Sequence, residues 1–174
     1  METPLVLVLG LLIVGLIVIG VFLRGWVRRR AAVAGRRAGA RFTSARMREI
    51  LDELGATLVI RASPAVAADL LRAAAAARGK DFTRLADGDI GIRFVETDDT
   101  IVRVAPDPAG ALLRVETFRD YLGFPQTAPQ WKELRALVTA EAAAHGIAVT
   151  DGPASAFERG PLLDDRNARW TRLP

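Results

Sequence analysis

The chain has 174 residues, with 24 basic and 20 acidic side chains, a formal charge of +4 and no cysteine. Composition alone therefore excludes a disulfide framework and thiol chemistry. The charge is also segregated. Residues 24–48 hold nine arginines and no acid, whereas 49–174 hold fifteen bases against nineteen acids. A nucleic-acid partner calls for a basic domain, so none is expected for this mildly acidic one.

Leu5 to Leu23 is nineteen residues without a charge. At 1.5 Å rise per residue this gives about 28 Å of helix, close to the hydrocarbon thickness of a bilayer. The run is apolar on every side, unlike a helix with one buried face. It predicts a transmembrane anchor over 1–23. A cleaved signal peptide needs bases before the apolar run. Here "METP" precedes it, and Arg24, Arg28, Arg29 and Arg30 follow. Basic flanks stay in the cytoplasm, which predicts a single-pass protein of the cell membrane, amino terminus outside and remainder cytoplasmic. Trp26 sits at the expected headgroup level. The basic juxtamembrane linker, 24–43, faces anionic inner-leaflet lipids, which attract such segments by about 1 kcal/mol per nearby base. The spacing of Gly10, Gly15 and Gly20 does not match a four-residue dimer motif.

A cytoplasmic domain is expected over 44–152. Ser44 is a candidate cap for a short helix carrying Met47, Ile50, Leu51 and Leu54 on one face and ending at Gly55. "TLVIRA" (57–62) reads as a strand. Ser63 and Pro64 then occupy favoured N-cap and first-turn positions of a helix, with Val66, Leu70, Leu71, Ala74 and Ala77 as its apolar face. Four strand-like runs follow: 81–86, 90–96, 100–105 and 111–118. Their short turns imply a meander of antiparallel neighbours. Alternation places Ile90, Ile92 and Phe94, Val102 and Val104, and Leu113 and Val115 on an oily face. Arg93, Arg103, Arg114 and Glu116 fall on the other face, an anion-binding surface unless Glu116 and Glu96 pair with the arginines across strands.

In "YLGFPQTAPQW" (121–131), Thr127 and Gln130 fit a capping box opening a helix to about His145. Leu134, Leu137 and Val138 form its core face, and a short strand over 147–149 follows. Tyr121, Phe124 and Trp131 cluster in sequence around this helix start, as pocket lining or core. Residues 153–174 mix proline, glycine and charge without periodicity and predict an extended C-terminal tail, with Phe157, Leu162, Leu163 and Trp170 as docking candidates.

No catalytic signature stands out. A zinc site of the usual kind needs three or four convergent ligands, and the chain offers one histidine, His145, near a helix C-terminus. "ARGKDF" lacks the first glycine and the hydroxyl of a phosphate loop. "ETDDT" (96–100) reads as an acidic turn. No metal or cofactor is expected, and no enzymatic activity.

The fold class predicted is α+β: an N-terminal single transmembrane helix followed by a small two-layer domain, with a mostly antiparallel meander sheet packed on helices. That layout resembles helix-grip ligand-binding folds, which implies an apolar cavity under the sheet. The function expected is a membrane-anchored protein presenting an interaction domain to an unidentified protein partner. The alternative is a membrane-tethered small-ligand or lipid-binding domain.

Overall fold

The computed structural model describes residues 44–174. The predicted anchor (1–23) and linker (24–43), with Arg24, Trp26, Arg28, Arg29 and Arg30, lie outside the described residues. The chain divides into two units, and the whole sheet belongs to the second, Met47–Pro174. No helix among the described residues is long and apolar enough to cross a membrane.

The domain is α+β, with a mostly antiparallel sheet and helices. Helix α1 (44–55) turns Ile50, Leu51 and Leu54 toward the core. Ser44 is itself helical, so it is not the cap of this helix. Strand β1 (Leu58–Ile60) leads to α2 (Pro64–Ala76), where the Ser63 hydroxyl accepts the Val66 N–H as the sequence predicts. The buried face of α2 is Ala67, Leu70, Leu71, Ala74 and Ala75. Val66 and Ala77, expected on that face, are exposed; the helix is rotated so that small alanines meet the sheet.

Strands β2 (Phe82–Arg84), β3 (Ile90–Ile92), β4 (Thr100–Asp107) and β5 (Gly110–Tyr121) form the predicted meander. β5 is the hub. One edge pairs with β4; along the other, β1 pairs with its first half and β9 (Ala168–Arg172) with its second. β6 (Phe124–Pro125) folds back on its end. Helix α3 (Ala128–Ala144) follows, Gly146 turns the chain at φ +67, and β7 (Val149–Asp151) pairs with β1. β8 (Phe157–Leu162) pairs with β9.

The last pairing departs from the sequence reading. Residues 153–174 were expected as an extended tail, yet two segments of them form a hairpin on β5. Phe157 and Trp170 supply the reason. Both pack on the buried Phe118 ring, at centroid distances of 4.9 and 5.6 Å. A hairpin contributing two aromatic anchors gains from burial despite its proline and glycine.

A second departure lies inside β5. The register with β4 shifts between Ile101 and Val102, opposite Glu116. Strict alternation would turn Thr117 inward. The bulge lets Val115 and Phe118 both face the core. The space beneath the sheet is filled by side chains: Trp131, Phe118, Leu54, Ile60, Ile90, Ile92, Leu113 and Leu134 are fully buried.

Candidate functional site

Three loops meet at one end of the sheet: 93–99 between β3 and β4, the turn 122–123 between β5 and β6, and 163–167 between β8 and β9. Large exposed apolar side chains concentrate there. Among the described residues seven such side chains are exposed, and this end holds five: Phe94 (48%), Val95 (58%), Leu122 (68%), Leu162 (56%) and Leu163 (49%). Single exposed apolar residues are ordinary; a grouped set marks a contact surface.

The first loop exists because of Asp99. Alternation carries β3 through Glu96, but the strand stops at Ile92. The buried Asp99 Oδ2 accepts the backbone N–H groups of Phe94, Val95 and Glu96 at 3.1, 2.6 and 2.8 Å. Those donors are lost to the ladder, and Phe94, expected on the oily face, swings out. The loop folds back over Gly91, where any side chain would collide with the Thr97 carbonyl. Asp99 Oδ1 accepts the Tyr121 hydroxyl at 2.6 Å, and the Phe94 and Tyr121 rings lie 5.3 Å apart.

The third loop depends on Asp120, also fully buried. Its Oδ1 accepts the Ala168 N–H at 2.7 Å; its Oδ2 accepts Arg159 Nε at 2.9 Å and Trp170 Nε1 at 3.0 Å. Within the loop, the Arg166 N–H and then the Asn167 side chain hold the Asp164 carboxyl below the usual carboxylate range. Asn167 Oδ1 accepts the Leu122 N–H at 3.0 Å, joining the third loop to the second.

The second loop is two residues long, since Tyr121 pairs with Phe124. Leu122 has φ +55 and Gly123 φ +82, the pattern of a type I′ turn. Leu122 is the single non-glycine residue with positive φ among the described residues. Asparagine or glycine is the ordinary occupant of that position. A leucine there costs about 1–2 kcal/mol in backbone conformation, and its side chain lies mostly in solvent.

Between the loops lies an open concavity of about 880 Å³ lined by Phe94, Tyr121, Leu122, Gln126 and residues 164–167. Of the three predicted aromatics, Tyr121 alone lines it. Trp131 is fully buried, with Nε1 donating to the Ala56 carbonyl at 3.1 Å. Phe124 is half-buried in β6. The capping box does not form either: Thr127 makes no side-chain cap, and its hydroxyl lies 2.5 Å from that of Thr100 on β4.

The predicted arginine face is occupied from within. Arg103 and Arg114 are directly opposed across β4 and β5. Asp89 binds Arg103 through both oxygens, at 3.1 Å for Oδ1 and 3.0 Å for Oδ2 from Nε, and raises its pKa further. Arg114 Nε donates to Glu116 at 2.7 Å, and Arg172 reaches the same carboxylate. Arg93 lies beyond the end of β3, exposed, with its N–H on the Asp81 carbonyl. Glu96, the other expected partner, belongs to the first loop.

Sequence reasoning missed Asp99, Asp120 and Leu122. The available signal was "YLGF", two residues flanked by aromatics, which fits a two-residue hairpin turn. No protein-family model, curated protein or solved structure matches the chain.

Proposed function

We propose that the chain is a single-pass membrane-anchored protein that presents its α+β domain at the cytoplasmic face of the cell membrane as a non-enzymatic interaction module. Residues 5–23 form the transmembrane helix, and Arg24, Arg28, Arg29 and Arg30 hold the basic flank inside, against anionic lipids. Trp26 anchors at the interface. The observation that carries the interaction reading is the grouping of Phe94, Val95, Leu122 and Leu163 on three loops, with Leu162 at the end of β8, at one end of the sheet. Binding surfaces sit disproportionately on loops held by a rigid scaffold, and buried Asp99 and Asp120 fix these loops.

A second reading, a small-ligand or lipid-binding domain, draws on the concavity beside Tyr121. Its volume lies within the usual range for ligand pockets, but such pockets bury most of their ligand. Here the concavity is open, and Trp131 fills the core instead of lining it. An interaction surface fits this geometry better.

Alkaline carbonate washing of membranes containing the full-length chain tests the anchor. The chain is expected to stay with the lipid pellet. Its quantitative release would overturn the reading.

A further inference from the structure

We infer that the loop end of the sheet is a second membrane contact, with Leu122, Val95 and Leu163 dipping into the bilayer that holds the anchor. The inference rests on the anchored reading above and names the partner of that same surface.

Three observations favour a bilayer over a protein groove or a second copy. First, the apolar groups stand on separate segments around an open concavity, and Val95 and Leu163 do not line it. Leu122, the most exposed, sits at the apex of a two-residue turn. Second, Leu122 is unfavourable twice over. Its φ is positive, and its side chain is left 68% exposed by the domain. An outlier of this kind points to a role outside the fold. Third, the chain carries its own bilayer segment. Forty-three residues precede the described domain, nineteen of them the uncharged run 5–23. Tethering converts a weak surface affinity into an intramolecular one, so a few apolar side chains suffice.

Charge sets the character of the contact. Arg93 and Arg166 stand among the same loops as Glu96, Asp164 and Asp165, while Asp98 is paired with Arg169 and Asp99 is buried. The surface is thus nearly neutral. Anionic headgroups neither draw it in nor expel it strongly, and the attraction is apolar. A contact of this type resists salt, unlike the attraction of a basic linker to the same lipids.

The absence of cysteine makes the test direct. Full-length Leu122→Cys, Val95→Cys and Leu163→Cys, with Ala144→Cys on the exposed side of α3 as reference, are labelled with an environment-sensitive fluorophore. Each is reconstituted into phosphatidylcholine–phosphatidylglycerol vesicles bearing brominated acyl chains. Quenching several-fold stronger at the three loop positions than at Ala144→Cys, and unchanged in high salt, is the expected result. Equal quenching at all four positions, with the chain retained through a carbonate wash, would overturn the contact and leave the anchor standing. Self-quenching that rises with protein density in place of lipid quenching would also overturn it, assigning the surface to a second copy. Loss of the signal in high salt would do the same, assigning it to headgroup attraction. Release of the chain by carbonate would remove the anchored reading and this inference together.

Discussion

The Tyr121 hydroxyl donates to Asp99 Oδ1 at 2.6 Å, while the other oxygen of the same carboxylate gathers three successive backbone N–H groups from the neighbouring loop. One buried acid thus ties the end of β5 to the segment that exposes Phe94 and Val95. Replacing it with alanine strips four donors of their acceptor. Hydrogen bonds to charged groups contribute about 1.5–3 kcal/mol each before relaxation to water, and three of these donors become hydrated once the loop opens. We expect Asp99→Ala to lower stability by about 2–3 kcal/mol and to accelerate amide exchange at residues 94–96 selectively. Unchanged exchange there would contradict the assignment.

Tyr121 is the chain's one tyrosine, so phenolate absorbance reports on it alone. Burial, and then the bond to Asp99, raise its pKa above the ordinary value near 10, against a lowering by Arg119. With the folded value above the unfolded one, the protonated phenol favours the native state. That stability is fully present below about pH 10 and is lost as pH rises toward the folded value. A titration midpoint above 10 in the native protein is expected, moving down to the ordinary value in denaturant; a native midpoint at or below it would contradict the geometry.

Asp120 plays the corresponding role for the β8–β9 hairpin, accepting from Ala168, Arg159 and Trp170. Its alanine variant leaves Trp170 Nε1 and the Ala168 N–H without partners. Arg159 is partly exposed and regains water. The cost expected is about 3 kcal/mol, read as a lower urea midpoint together with a changed Trp170 fluorescence environment. A stability within about 0.5 kcal/mol of the parent, the usual range for an inert surface change, would show that the hairpin is held chiefly by Phe118.

Leu122 offers a stabilising substitution. Leu122→Asn places a residue that tolerates positive φ at the first position of the turn. Because the leucine side chain is mostly exposed, little packing is lost. A gain of about 1 kcal/mol is expected from relief of the backbone conformation, seen as a rise in Tm, while lipid contact weakens. Destabilisation would show that the leucine supports the fold.

Much of the scaffold was legible because its signals are local. Ser63 and Pro64 announce α2, the turn dipeptides separate the meander strands, and Gly146 ends α3. What escaped depends on contacts distant in sequence. β3 stops at Ile92 because a carboxylate seven residues later takes its donors. Thr127 turns from its own helix to Thr100, which no capping pattern reveals. The hairpin at the carboxyl end looked like a tail because its anchors, Phe157 and Trp170, acquire meaning only against Phe118. At the candidate site Tyr121 was visible as an aromatic in an unusual stretch. Leu122 was not, since a leucine carries no signature of its φ. The sequence grouping of Tyr121, Phe124 and Trp131 did not survive folding: a helix start sends Trp131 inward while β5 and β6 keep the other two at the sheet end.

The central claim is that a bilayer separates the amino terminus from this domain. Protease accessibility on the two sides of the membrane tests it most directly, with intact cells compared against inverted vesicles. The account predicts that the domain survives in intact cells and is cut free of its anchor within the arginine-rich segment in inverted vesicles. Digestion of residues 44–174 by protease added outside intact cells would contradict it.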